Sequence, residues 1–383
     1  MSDVFIVPCS DYKEQTVATA MQALIKNSGA LDFVKAGMKI VIKANLVTLF
    51  KPEAAATTHP QLICELTKAL IERGASVVIG DSPGGLYNSV YLRKVYSLCG
   101  MNDAASCGAE LNFDFSQKKA SFEAAAVLKD FEYTAFLDNC DAIINFCKLK
   151  THGMMGMSAA VKNMFGAIPG TFKPEYHMRF PKHTAFADML VDLNEYFKPV
   201  YTFVDAVDGM EGNGPTMGKP RHIGALLCAK SPYKLDLACA KIIGIPYDNV
   251  PTLAAAAKRG LAPDSVDKIT IDGDIDSFVI PDFLLVADNK DIRFSGKGNI
   301  LSSFAGLLAR TFLQNRPKLC SSECVGCGKC AEICPASAIE IKDKKAVISR
   351  KKCIRCFCCQ EFCPVGAMKV QRTAVTKIIN REG

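Results

Sequence analysis

Apolar residues over roughly the first 300 positions fall into short runs separated by longer stretches of helical spacing. Val4–Val7, Lys39–Val47, Ala75–Gly80, Ala142–Phe146, Val200–Asp205 and Ile223–Ala229 read as strands. Between them, Gln61–Arg73, Phe186–Phe197 and Leu235–Gly244 read as helices, and Arg73-Gly74 places a glycine where a helix ends. Several strand runs are apolar throughout rather than alternating, as expected when helices cover both faces of a parallel sheet. The pattern predicts an α/β domain with a parallel or mixed sheet and helices on both faces. Lys118–Asp130 reads equally as a helix or as an excursion from the sheet.

From Asp288 the chain carries FSGKGN and a helical segment, Leu301–Gln314, and reaches Arg316-Pro317, after which the composition shifts to cysteine. This predicts an α/β domain over residues 1–317, with 288–317 as a connector, and a small α+β domain over 318–383. The second segment repeats itself: CVGCGKCAEICPASAIEI from Cys324 aligns with CIRCFCCQEFCPVGAMKV from Cys353, an offset of 29 residues. Neither half is long enough to bury a core alone, which favours a pseudo-two-fold unit.

Composition adds constraints. A chain of 383 residues suggests two to three domains at about 150 residues each. With 49% apolar and 22% charged residues it should be ordered. No apolar stretch reaches ~18 residues, so no membrane span is expected. The amino terminus lacks a basic region ahead of an apolar one, so a cytoplasmic protein without a secretory signal is expected. There are 18 cysteines, ten of them between Cys320 and Cys363. A reducing compartment disfavours disulfides, so the scattered ones are expected to be small buried apolar residues, and the crowded ones call for metal.

Cys324, Cys327, Cys330 and Cys334-Pro335 form C-x2-C-x2-C-x3-C-P, and Cys353, Cys356, Cys359 and Cys363-Pro364 repeat it. Three evenly spaced thiolates wrap one iron–sulfur cube, and the fourth, beyond a helical turn, reaches the other. Two [4Fe-4S] clusters are therefore expected, one on Cys324, Cys327, Cys330 and Cys363, the other on Cys353, Cys356, Cys359 and Cys334. Zinc sites usually space two cysteine pairs by a dozen residues or more, unlike this pattern. Cys320 and Cys358 are left over, Cys358 as a spacer. The segment 318–372 resembles the bacterial two-cluster ferredoxins, which fold as two βαβ halves and carry single electrons. The formal net charge of +7 counts these cysteines as neutral. Two clusters with their thiolates reduce it to about +3, and with no long basic run nucleic acid is not an expected partner.

The apolar runs of the large domain end in polar groups: Lys43 and Asn45; Asp81, Ser82, Gly84 and Gly85; Lys148, Lys150, Thr151 and His152; Asp205, Asp208, Glu211 and Asn213. Ligands of open parallel sheets bind at such strand ends. The lysines, with Lys162, suit an anionic small molecule, and the DSPGG turn can aim amides at a phosphate or carboxylate. Lys43, Asn45, Asp81, Ser82, Gly84 and Gly85 are the candidate binding residues, and His152, Lys148 and Lys150 the candidate catalytic ones. The acids suit a metal or proton transfer. Each has a plainer reading: a glycine-rich turn that is only a turn, acids that neutralise lysines, a hydrogen-bonded structural histidine. His177 and His183, beside the basic loop KPEYHMRFPKH, read more readily as solvated, and Met154, Met155 and Met157 as packing.

KANL, THPQLICELTKALIERGASVVIGDSPGG, KLKTHGMMGMSAAVKNMFGAIPG and VDAVDGMEGNGPTMGKPR together resemble family 362 of the domains of unknown function. The resemblance covers most of residues 1–250, and it implies an iron–sulfur protein of bacteria or archaea without supplying a reaction. Two functions stand side by side. In one, the clusters serve an oxidoreductase site for an anionic small molecule. In the other, the protein is an electron carrier or redox sensor whose large domain only recognises partners, with Lys329, Arg350, Lys351, Lys352 and Arg355 suited to an acidic redox partner protein. No flavin or nicotinamide fingerprint is visible.

Overall fold

Fifteen strands and their helices are seen in a computed structural model that describes residues 2–286 and 316–371. The large unit is built on β1 (Val4–Pro8), β2 (Lys39–Lys43), β3 (Ser76–Gly80), β4 (Glu110–Leu111), β7 (Ala142–His152), β8 (Gly156–Ser158), β9 (Tyr201–Glu211), β10 (Lys219–Ala229) and β11 (Ile271–Asp272). They form one nine-stranded mixed sheet, ordered β11-β1-β10-β9-β7-β2-β3-β4, with β8 folded back on β7. The run from β9 to β4 is parallel, while β10 lies antiparallel to both β9 and β1.

Alternation along the strands explains the layering. Ile40 and Ile42 of β2, Phe5 and Val7 of β1, and Leu226 and Cys228 of β10 share one core with α1 (Glu14–Ser28), α2 (Pro60–Ile71), α3 (Ser89–Leu98) and α4 (Met101–Ala105). Their neighbours Val4, Ile6, Ala225 and Leu227 face a second core. Successive side chains of a strand point to opposite faces, so apolar runs such as these demand a cover on each side. The second face is covered by α5 (Ala160–Asn163), α6 (Lys173–Arg179), α7 (His183–Phe197), α8 (Pro232–Ile242) and α9 (Pro251–Lys258).

Two expectations about strand length are corrected. β2 stops at Lys43 instead of Val47, because side chains take over the backbone: Asn45 N–H donates to Thr58 Oγ1 (3.0 Å) and Leu46 N–H to Asp81 Oδ2 (2.9 Å). β7 and β9 each run six residues past their apolar runs, to His152 and Glu211. Apart from the half-exposed Asp208, which faces His222, their lysines and acids are buried and held by partners within the protein, so the polar stretch stays in the sheet. Lys118–Asp130 is not a helix; it lies within a hairpin of β5 (Gln117–Ser121) and β6 (Asp130–Thr134).

The expectation that the scattered cysteines stay unpaired is corrected once. Cys64 on α2 and Cys107 just after α4 form a disulfide across two packed helices, with Cα atoms 5.6 Å apart. Cys9, Cys99, Cys147, Cys228 and Cys239 are free and buried. The expected FSGKGN segment and helix Leu301–Gln314 lie outside the described residues. Among those described, no helix is long and apolar enough to cross a membrane.

The small unit starts with β12 (Arg316–Leu319), which pairs antiparallel with β15 (Met368–Gln371); β13 (Ile339–Lys342) and β14 (Lys345–Ile348) form a hairpin. Arg316 and Pro317 thus already belong to its sheet. Helical turns at Lys329–Glu332 and Cys358–Glu361 occupy equivalent places in the two halves of the repeat.

Candidate functional site

The small unit holds two cavities. One, of about 320 Å³, is lined by Cys324, Cys327, Cys330 and Cys363 among Leu319, Ile341 and Ala346. The other, of about 300 Å³, is lined by Cys334, Cys353, Cys356 and Cys359. Among the described residues no three His, Cys, Asp or Glu side chains converge as they would on a single ion. Four sulfurs spaced around a cavity instead suit a polynuclear cluster. Each half also aims an amide at a sulfur: Ala338 N–H at Cys334 Sγ and Ala367 N–H at Cys363 Sγ, both 3.2 Å. Such donors stabilise thiolate charge. Donor set and surroundings therefore fit iron–sulfur clusters.

The large unit carries its polar site where β2, β3 and β7 end. Lys43, last in β2, is buried and pairs with Asp81, one residue past β3, at 2.7 Å. Its ammonium also donates to Asn163 Oδ1 (3.1 Å). Asn45 Nδ2 donates to the same oxygen (2.7 Å), and Lys150 Nζ donates to Asn45 Oδ1 and Ala56 O (both 2.7 Å). Gly166 allows this packing: a Cβ there would stand 2.0 Å from Asp81 Oδ1 and 2.4 Å from Lys43 Nζ.

These groups open on a cavity of about 730 Å³, part of it exposed to solvent, whose floor is the large unit and whose other wall is the small one. Lys43, Asn45, Asp81, Gly84, Lys150, His152, Lys162, Lys173 and His177 line it from one side; Cys358, Glu361 and Phe362 line it from the other. Gly84 makes the closure possible, since a Cβ there would lie 2.5 Å from the Phe362 ring. The seam is specific. Gln360 is fully buried, and its Nε2 donates to Asn213 Oδ1 (3.0 Å) and to the carbonyls of Asn213 (3.0 Å) and Gly214 (3.2 Å). Phe357 packs into the core that contains Met154 and Met155.

His152 crosses the seam. Its Nδ1 accepts from the amides of Met154 (3.1 Å) and Met155 (3.3 Å), which leaves the ring proton on Nε2, 3.2 Å from Glu361 Oε1. Burial lowers the His152 pKa and holds His177 at about 3, so both rings are neutral near pH 7. His177 stacks on Phe186 at 4.4 Å, and its Nδ1 is buried without a hydrogen-bond partner. Burial also lowers the pKa values of Lys150, Lys162 and Lys173, the first and last to about 7. Among the described residues Lys162 has no carboxylate within ion-pair distance; its ammonium sits 4.7 Å over the Phe165 ring. Burial raises the Glu361 carboxyl, but His152 and Lys162 outweigh it and hold the group at about 2.

The structure thus places the sequence candidates unequally. Lys43, Asn45, Asp81, Gly84, Lys150 and His152 meet at the cavity. Lys148 does not line it: Lys148 Nζ is 2.9 Å from Asp205 and 2.7 Å from Tyr12 Oη, a buried pair that neutralises it. Ser82 and Gly85 are also off the cavity lining; Ser82 Oγ accepts from Gly170 N–H (2.8 Å). The DSPGG turn does not open a helix, since α3 begins at Ser89 behind the Asn88 cap, and the Gly84 amide is taken by Val47 O (2.7 Å). The acids do not converge: Asp205 serves Lys148, Asp208 faces His222 (2.8 Å), and Glu211 accepts from Leu284 N–H (3.1 Å). His177, read as solvated, is buried in the lining, while His183 starts α7. Lys173, Phe165, Glu361 and Phe362 were not singled out, although Lys173 left a trace as part of the basic loop; Cys358 was read only as a spacer between cluster ligands and instead lines the cavity.

Comparison with known proteins adds three findings. The sequence model of a domain of unknown function, DUF362, matches residues 40–241, and that of a 4Fe-4S dicluster domain matches 323–367. A thylakoid-associated protein of Synechocystis, sll1697, is 28% identical over 278 residues, covering 70% of this chain and 82% of that protein. Among solved structures, the lactate racemase apoprotein from Thermoanaerobacterium thermosaccharolyticum aligns at 12% identity and TM-score 0.40, over 64% of this chain and 58% of that one. A Thermotoga maritima protein aligns at 13% and 0.34, over 57% and 56%. The chain therefore spans under two thirds of either structure's length.

Proposed function

The chain belongs to the DUF362 family and carries a 4Fe-4S dicluster domain, and from that premise we propose that it is an iron–sulfur redox enzyme, or a component of one, acting on an anionic small molecule. The carrying observation is the two-walled cavity. Its cationic floor belongs to the large unit, and its lid, Cys358, Glu361 and Phe362, interleaves with Cys359 and Cys363 of the two sulfur-lined cavities. A pure carrier or sensor has no need of such a cavity between its modules.

In this reading the large unit is the substrate-binding part and the small unit, whose sheet already includes Arg316 and Pro317, the electron-transfer part. Two [4Fe-4S] clusters, one on Cys324, Cys327, Cys330 and Cys363 and one on Cys353, Cys356, Cys359 and Cys334, supply electrons one at a time, drawn from an external redox partner protein. Lys150 and Lys162 hold the anion. A two-electron reduction takes up two protons; Lys150 and Lys173, whose ammonium pKa values burial has brought to about 7, can deliver them, while neutral His152, its Nε2 facing Glu361, positions rather than protonates. The second function, a carrier or sensor, remains the rival that the experiment must separate.

The test is native mass spectrometry on protein purified without oxygen. Two four-iron clusters plus a further residual mass, the latter lost in a Lys150→Met/Lys162→Met variant, is the expected outcome. Clusters with no residual mass, and no anion bound on addition, would return the protein to the carrier class. A mass excess matching two zinc ions overturns the cluster assignment itself.

A further inference from the structure

The charges around the cavity do not balance, and the imbalance specifies a ligand class. Four lysines line it, Lys43, Lys150, Lys162 and Lys173, against two carboxylates, Asp81 and Glu361. Asp81 is committed to Lys43 at 2.7 Å, and Glu361 faces His152 at 3.2 Å. Lys150 is held only by neutral oxygens, those of Asn45 and Ala56. Lys173 donates to the Ser82 carbonyl, and Lys162 lies over the Phe165 and Phe186 rings, at 4.7 and 5.9 Å. Beside them, His177 offers a buried Nδ1 with no partner.

Lys150 is buried and Lys162 and Lys173 are half-buried, and ammonium groups withdrawn from water in this way are costly unless an anion compensates them. Among the described residues, three lysines without carboxylate partners, set against the one acid that is not tied to a lysine, leave an excess of two positive charges when all three are protonated. Resting on the reading of the cavity as an anion site, we propose that its ligand is a small dianion, a dicarboxylate or a phosphate monoester, clamped by Lys150, Lys162 and Lys173. His177 Nδ1, which accepts or donates according to its tautomer, meets a polar atom of the same ligand.

A consequence follows for protons. In the empty cavity burial brings Lys150 and Lys173 to about 7, so near neutral pH each is only partly charged. A bound dianion favours their charged forms and raises both pKa values, so binding takes up protons, about one in total near pH 7. Affinity therefore falls as pH rises through 7 and above.

The experiment is calorimetric titration of the full chain with its clusters loaded, in two buffers of different ionisation heat, at about pH 6.5 and about pH 8. Succinate and sulfate are the dianionic probes, acetate the monoanion and succinamide the neutral control; sulfate does not itself titrate, so any proton uptake belongs to the protein. Both dianions, or one of them, should bind at least tenfold tighter than acetate, take up protons, and weaken at the higher pH. A Lys162→Met/Lys173→Met variant should lose that preference with its cluster absorbance intact. Sulfate alone binding tightly selects a phosphate ester; succinate alone selects a dicarboxylate. Equal binding of acetate and the dianions overturns the dianion while leaving an anion site in place. Failure of every anion overturns both readings, and unchanged binding in the variant removes these lysines from the site.

Discussion

Lys43 and Asp81 show how a single position without a side chain sets the chemistry of the rim. The pair is buried and 2.7 Å apart, a geometry that exists only because Gly166 carries no Cβ. Gly166→Ala drives a methyl group into both partners and separates a buried ion pair, which costs about 3–5 kcal/mol when one charge loses its partner. The expected result is a large drop in the urea midpoint, whereas Gly212→Ala, where a Cβ meets nothing within 4 Å, should cost far less and only through its positive φ. At this scale the sequence was informative for residue type and silent about partners. Lys43, Lys148 and Lys150 look alike along the chain, yet one is paired with Asp81, one is neutralised by Asp205, and one is held by neutral oxygens. Which lysine keeps charge available for a ligand depends on residues 38 to 105 positions away, beyond any local pattern.

Among the elements, α5 is the one most dependent on a distant group. It is one turn long, has no side-chain cap of its own, and presents Lys162 and Asn163 to the site. Asp236 of α8 caps it instead, accepting from Ala160 N–H (2.7 Å) and Val161 N–H (3.1 Å). Asp236→Ala leaves two buried amides unsatisfied, at about 1–3 kcal/mol each, and should loosen α5 before it unfolds the domain. Faster amide exchange at Ala160–Asn163, with anion binding weakened in parallel, is the outcome to look for. β7 teaches a related lesson. Its apolar half was legible as a strand; its polar half, Lys148 to His152, reads as a loop because buried polar side chains imitate a surface. The strand survives because every lysine in it finds oxygen partners inside the protein.

The whole molecule is asymmetric about its repeat. Cys327 is exposed and Cys324, Cys330 and Cys363 are half-buried, whereas Cys356 and Cys359 are 8% and 7% exposed near the seam with the large unit. Exposure governs the attack of oxidants on a cluster, so iron loss in air should be biphasic. The set containing Cys327 goes first, and Cys356→Ser should abolish the slow phase alone, read from visible absorbance and iron release. Complete removal of iron by a chelator under reducing conditions should unfold residues 316–371, whose apolar core of Ile339, Ala346, Cys359 and Met368 is small and has the cluster cysteines Cys324, Cys330, Cys334 and Cys363 packed against it. The large unit, with its separate cores, should keep its protection from hydrogen exchange except along Gly84, Gly153 and Asn213, where the small unit rests.

Periodicity and spacing by themselves determined the α/β class, the small α+β unit and the eight cysteines around its two cavities, because those signals are local: a strand needs a run of apolar residues, and a cluster needs thiolates at fixed steps. Tertiary structure alone decided that Cys64 reaches Cys107, that Lys148 is spent on Asp205 while Lys150 is not, and that the short turn Cys358–Glu361 closes the cavity over His152. Those are contacts between residues far apart in the chain, fixed by which faces the sheet and its helices bring together, and a sequence read along its length carries no signal for them.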